Sequence, residues 1–144
     1  MEAYWNYMEE IREECYGTEH PGRADHDILE FYNEARLEKA FAFMNAAKAA
    51  LDAGDDRYRA RVAFVEAGLD FTRLITECGR LVRKIKDDGD ADGTARAKLH
   101  ANWDELRALR DAHPNALRWR LFFGGHKADG PAQTPRYAPP LWVP

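Results

Sequence analysis

Apolar side chains recur at every third or fourth position along most of the chain, a spacing that predicts α-helices. In the first segment, Glu2 to Tyr16, the apolar residues fall on one face and the glutamates mostly on the other. Gly17 follows at the position where glycine commonly ends a helix. Because this helix begins almost at Met1 without a capping residue, we expect a further region of the protein upstream. Its apolar face consists of Tyr4, Tyr7 or Met8, Ile11 and Cys15.

Two longer helices are predicted on either side of a short Asp-Gly turn. The first starts at the N-cap residue Asn33 and stops at Gly54. The second is capped by Asp55 or Asp56 and runs to about Lys86, which makes it the longest helix of the chain. A short link forces its two helices to run antiparallel, so we expect a helical hairpin. The long helix has a near-heptad apolar pattern of Tyr58, Val62, Val65, Leu69, Thr72, Ile75, Cys78, Val82 and Ile85, widened by Phe64, Gly68 and Phe71.

A fourth helix is predicted after the polar turn at residues 87–93. Thr94 is its expected N-cap, and Pro114 halts it. The apolar positions of this helix are Leu99, Trp103, Leu106 and Leu109.

The end of the chain is less regular. Residues 117–123 alternate apolar and polar side chains as a strand does, but no second strand is in sight and we favour a short helix. Residues 124–144 are rich in Gly and Pro and are expected to be extended and packed on the helices. The predicted fold is all-α: an antiparallel helical bundle over residues 1–123 with one long central helix, followed by the extended tail.

Composition narrows the class of partner. Of the 144 residues, 45% are hydrophobic and 32% are charged, as in an ordinary folded domain with its own core. The net charge of −4 argues against a broad electrostatic contact with nucleic acid or anionic lipid. No segment has the apolar run that spans a bilayer, and the N-terminus lacks the pattern of a signal peptide. We expect neither nucleic acid nor a membrane as a partner, and the sequence indicates no compartment.

No set of residues predicts a catalytic centre. Glu9 with Glu13, and Glu10 with Glu14, lie one turn apart on one helix, whereas glycoside hydrolysis needs two carboxylates on opposite sides of the sugar. The chain contains no serine, which excludes a serine nucleophile. We therefore predict no catalytic residue and no cofactor.

The cysteines and histidines have simple structural explanations. Cys15 and Cys78 are far apart in the sequence and fit apolar helix faces, although a disulfide in an oxidising compartment is the alternative. His20 and His26 share one loop, but no spacing typical of a metal site surrounds them. We predict no metal site.

Three aromatic residues near the chain ends are candidates for contact with a partner or a sugar: Tyr4, Trp5 and Trp142. Burial is least assured near the ends, and Trp and Tyr offer both an apolar face and a polar group. Ordinary core packing is the favoured alternative for all three.

Residues 35–74 resemble a known family. ARLEKAFAFMNAAKAAL and, after a short turn, YRARVAFVEAGLDFTRL are similar to the helical C-terminal region of a bacterial family with a domain of unknown function. The later WDELRALRDAHPNAL and the closing APPLW also fit that region. The upstream part of those proteins is similar to glycoside hydrolases of the alpha-glucuronidase and hexosaminidase kind. The shared motifs are packing motifs that include Arg61, Val62, Gly68 and Leu69, so no catalytic residue is carried over.

The resemblance implies a non-catalytic helical accessory domain of a carbohydrate-processing enzyme. Its partner would be the upstream catalytic barrel of the same protein, a second copy in a homo-oligomer, or both. The alternative is a free-standing α-helical interaction module that binds a partner along its apolar stripe. An accessory domain is expected to expose an apolar patch on its first helix or its tail. An independent small enzyme is the least favoured class.

Overall fold

A computed structural model describes residues 1–16, 31–51 and 56–113 of the chain. The regular structure in these ranges is entirely α-helical, which confirms the all-α prediction. The predicted features at Gly17, Gly54, Asp55, Pro114 and residues 117–144 lie outside the described residues. The helices bounded within the described ranges are α1 (Glu2–Tyr16), α2 (Glu34–Ala49), α3 (Asp56–Asp87) and α4 (Thr94–Ala112).

The predicted start of α2 is confirmed in its atomic detail. Asn33 has extended backbone angles, and its side-chain oxygen accepts a hydrogen bond from the backbone N–H of Arg36 at 3.0 Å. This bond satisfies one of the amide groups that the first turn of any helix leaves without a partner. At the other end, α2 stops at Ala49, before the predicted stop at Gly54, and the backbone N–H of Ala50 donates to the carbonyl of Ala46 at 3.1 Å.

The chain divides into two compact units, residues 1–73 and residues 74–144. In the first unit, α1 and α2 run antiparallel. The Tyr7 ring lies 5.6 Å from the Phe43 ring, centroid to centroid, while Glu14 near the end of α1 pairs with Arg36 near the start of α2. The core of this unit contains Tyr4, Tyr7 and Ile11 from α1, Leu37, Ala40 and Met44 from α2, and Val62 and Leu69 from α3.

The first half of α3 contributes to this core with one face only. Lys48 Nζ lies 2.6 Å from Glu66 Oε1, which joins the end of α2 to α3. The predicted widening of the apolar stripe was wrong for Phe64, which is 57% exposed. Each residue turns an α-helix by about 100°, so Phe64 lies about 160° around the helix from the buried Val62. Tyr58 is also exposed, one turn before Val62 and close to the start of α3.

The second unit, as far as it is described, contains the second half of α3 and all of α4. Cys78 from α3 and Leu99 and Leu106 from α4 are fully or almost fully buried, as their apolar pattern predicts, and so is Leu74, which the predicted pattern left out. Glu77 and Lys98 form an ion pair between the two helices. The turn that joins them, residues 88–93, is short, so the helices form an antiparallel hairpin.

The structure corrects the prediction that Thr94 caps α4. Thr94 is the first helical residue, and the N-cap is Gly93, which has a φ of 71° and no side chain to offer. Carboxylates from the preceding turn take the place of the missing capping side chain. The side chain of Asp90, only 3% exposed, accepts hydrogen bonds from the backbone N–H groups of Ala95 and Arg96, each at 2.9 Å.

Asp92 completes this arrangement by accepting from the backbone N–H of Thr94 at 3.0 Å. The hydrogen bonds from Thr94 lower the pKa of the exposed Asp92 carboxyl. The first turn of α4 is therefore satisfied by acidic residues that precede the helix, where negative charge also favours the helix dipole.

Candidate interaction surface

The aromatic residues proposed from the sequence as contact candidates differ in their exposure to solvent. Tyr4 is 5% exposed and packs in the core of the first unit, where burial, and to a smaller extent Tyr32, raises the pKa of its phenol. Trp5 is 52% exposed, and its ring meets the Tyr4 ring at 72° with 5.3 Å between centroids. Trp142 lies outside the described residues. Core packing therefore describes Tyr4, and Trp5 stays a candidate contact residue.

Another exposed surface lies on the first four turns of α3. Arg57, Arg61, Phe64 and Gly68 are separated by four, three and four residues, a spacing that places them along one side of a helix. Both arginines and Phe64 are exposed. A Cβ atom added to Gly68 would meet nothing within 4 Å, so the space beside Phe64 on this side is open. We call these four residues the basic stripe.

The exposed side of α1 has the opposite charge and the same spacing. Glu2, Asn6, Glu9 and Glu13 are all exposed and are also separated by four, three and four residues. This acidic stripe lies opposite the face that carries Tyr4, Tyr7 and Ile11 into the core, and Trp5 borders it. Glu9 forms a surface ion pair with Arg12 at 2.5 Å.

The sequence prediction missed the basic stripe because it assigned Phe64 to the packing side of α3. The interval from Arg57 through Arg61 to Phe64 was visible in the sequence. It could not be recognised as an exposed stripe without knowing that α1 and α2 cover the side of α3 that carries Val62 and Leu69.

The groups that could perform chemistry are not assembled for catalysis in the described residues. Cys78 is completely buried, and its burial, with a smaller contribution from Glu77, raises the pKa of its thiol to about 12. Such a thiol stays protonated at neutral pH, whereas a nucleophile or metal ligand must be a thiolate. This agrees with the interpretation of Cys78 as a small hydrophobic residue. The side chain of Cys15, and His20 and His26, lie outside the described part.

The glutamates of α1 point to solvent and ion pairs and not to a shared cleft. Glu9 pairs with Arg12, Glu14 pairs with Arg36, and Glu10 and Glu13 are exposed. Within the residues that the structure describes, no three or more His, Cys, Asp or Glu side chains converge where they could hold a metal ion. The described residues offer two charged surfaces: the basic stripe, which includes Phe64, and the acidic stripe, which Trp5 borders.

None of the helices in the described ranges is long and apolar enough to cross a membrane. Comparison of the chain with known protein families, with curated proteins and with solved structures finds no match. The resemblance of residues 35–74 to the glycoside-hydrolase-associated family therefore stays a prediction from the sequence.

Proposed function

We propose that this chain is a non-catalytic helical accessory domain that associates with another part of a carbohydrate-processing enzyme. The observation that carries the proposal is the position of the exposed large hydrophobic side chains: Met1 at 40%, Trp5 at 52%, Tyr58 at 54% and Phe64 at 57% all belong to the first compact unit. Burying the exposed part of one such side chain contributes about 1 kcal/mol, so several of them together would support specific association.

The first helix supports the accessory role in particular. An accessory domain is expected to expose apolar surface on α1; Trp5 on α1 is exposed, and so is Met1 just before it. The assignment to carbohydrate processing rests only on the resemblance of residues 35–74. Of the residues that carry this resemblance, Val62 and Leu69 are core residues, whereas Arg61 and Gly68 lie on the basic stripe.

The first test is to sequence the source DNA directly upstream of the Met1 codon. A continuous reading frame that encodes alternating strands and helices of a barrel would support the accessory domain. The parent enzyme would then be expressed with and without this chain. We expect the shortened enzyme to lose assembly or thermal stability and to keep its turnover per active site. Loss of turnover with unchanged assembly would instead assign the chain a catalytic role.

A free-standing interaction module is the second candidate, and the exposure of Tyr58 and Phe64 on α3 favours it. These side chains lie on a helix other than α1, so a partner could bind them without an upstream barrel. A stop codon and a ribosome-binding site just before Met1 would support this candidate and contradict the accessory domain.

A further inference from the structure

The two stripes of the first unit are complementary in charge and equal in spacing. The basic stripe carries Arg57 and Arg61 followed by Phe64, and the acidic stripe carries Glu9 and Glu13. Both stripes lie on exposed sides of helices whose other sides build the core of the same unit. A positive surface that meets a negative one favours encounter and fixes the alignment of the partners.

We propose that a second copy of this chain docks its acidic stripe on the basic stripe. The inference rests on the proposed function in one respect, because both assign the exposed side chains of the first unit to association. It commits to a copy of the same chain because that copy supplies the complementary surface with the matching intervals.

The spacing defines one antiparallel alignment of α1 from one copy against α3 of the other. In this alignment the charges fall opposite each other at one end, and the aromatic residues meet at the other. Trp5, beside Asn6, lies next to Phe64, and the open space at Gly68 accepts the start of α1. The facing positions are Glu13 with Arg57, Glu9 with Arg61, Asn6 with Phe64 and Glu2 with Gly68.

The existing contacts of these side chains do not prevent docking. Glu9 forms an exposed i,i+3 pair with Arg12, and such surface pairs contribute little to stability, so Glu9 can exchange partners. Arg61 lies 5.8 Å from the centre of the Tyr58 ring, a contact that still leaves its guanidinium exposed. The contact joins two different stripes, so it closes a twofold dimer where both stripes of one copy face the other copy, and otherwise adds further copies in a ring or a row.

The test is a charge exchange measured by sedimentation equilibrium of the full chain over a range of concentrations. We expect the wild type to self-associate. Arg57→Glu and Glu13→Arg should each raise the dissociation constant by about tenfold or more, because each places like charges together. The double variant restores the charge pair in reverse and is expected to recover most of the affinity. Phe64→Ala is expected to weaken association, and combining it with a charge reversal should not restore the affinity.

The matched control is Arg83→Glu, which reverses an exposed charge on the same helix in the second unit and is expected to leave association unchanged. Circular dichroism of each variant checks that the helices remain. Raising the salt from about 0.1 M to about 1 M shortens the Debye length from about 10 Å to about 3 Å and should weaken the wild-type dimer.

A monomer at every concentration would overturn the inference and assign the basic stripe to another occupant, such as an acidic helix of a different protein. Self-association that neither single reversal weakens, or that the double variant fails to restore, would overturn it too. These results are independent of the upstream reading frame, so the inference and the proposed function fail separately.

Discussion

Replacing Asp90 by alanine is expected to destabilise the second unit at the start of α4. The Asp90 carboxylate is 3% exposed and accepts from the backbone N–H groups of Ala95 and Arg96, both at 2.9 Å. An alanine cannot accept either bond, and Gly93, the N-cap residue, has no side chain to replace it. Two amide groups of the first turn would lose their acceptor at once.

The expected loss follows from these contacts. Removal of an N-capping side chain costs about 0.5–2 kcal/mol, and a buried donor left without a partner costs about 1–3 kcal/mol. Water can reach part of the turn, since the Arg96 side chain is 33% exposed. Arg96 also keeps its second contact, from Nη1 to the Asp90 carbonyl at 3.1 Å. We therefore expect a loss of about 2 kcal/mol in the free energy of unfolding.

The assay is urea denaturation followed by circular dichroism, together with hydrogen exchange at the amides of Ala95 and Arg96. With a slope of about 2 kcal/mol per molar, the Asp90→Ala midpoint should fall by about 1 M, and both amides should exchange faster. Asp92→Ala is the matched control, because Asp92 is exposed and accepts a single backbone bond from Thr94. It should shift the midpoint less. A loss below about 0.5 kcal/mol for Asp90→Ala, or a larger loss for the control, would refute this account of the cap.

Three further outcomes are expected. Cys78 in the folded protein should resist alkylation at pH 8, as mapped by mass spectrometry, because raising its pKa from 9.0 to about 12 lowers the thiolate fraction about a thousandfold. Stability should fall as the pH rises above about 9 towards 12, measured by urea midpoints. Burial raises the pKa values of Cys78, Tyr4 and Tyr7, so the folded state holds these protons more tightly and their contribution is lost at high pH. Gly93→Ala should cost about 1 kcal/mol in the same assay, because Gly93 has a φ of 71° that other residues adopt only with strain.

Each of these outcomes has a result that contradicts it. Rapid labelling of Cys78 under native conditions would show that its helix opens readily or that the thiol is not enclosed. A constant urea midpoint up to pH 12 would contradict the direction of the tyrosine and cysteine pKa shifts. For Gly93, the control is Ala97→Gly in the exposed part of α4, where glycine should be the destabilising residue. Equal stability of wild type and Gly93→Ala would remove the argument from backbone strain.

Periodicity and capping residues were sufficient for most helix positions. The bounds of α1 agree with the prediction because the chain has one apolar face from Tyr4 to Ile11 with acidic residues opposite. The start of α2 could be predicted because the hydrogen bond from the Arg36 backbone N–H to the Asn33 side chain lies within four consecutive residues. Interactions of this range are encoded locally and do not depend on the rest of the fold.

The features that the sequence did not predict depend on contacts or turn geometry beyond a single helix. Thr94 is a favourable capping residue by type, but the turn places the Asp90 and Asp92 carboxylates nearer to the amide groups. Phe64 fits an apolar pattern on α3, yet which side of α3 is covered depends on α1 and α2. Among the aromatic contact candidates, Tyr4 is buried, in agreement with the favoured alternative of core packing, whereas Trp5 is exposed.

The carboxylates that cap α4 belong to the turn before it, and this determines the shortest peptide that contains the complete capped helix. A peptide of residues 94–112 contains every residue of the helix but neither carboxylate that satisfies its first turn. A peptide of residues 88–112 carries both, and it also keeps the two glycines, Gly89 and Gly93, that give the turn its shape. Anyone transplanting this helix into another scaffold must therefore move the six residues before it as well, because the element that folds is larger than the element that is helical.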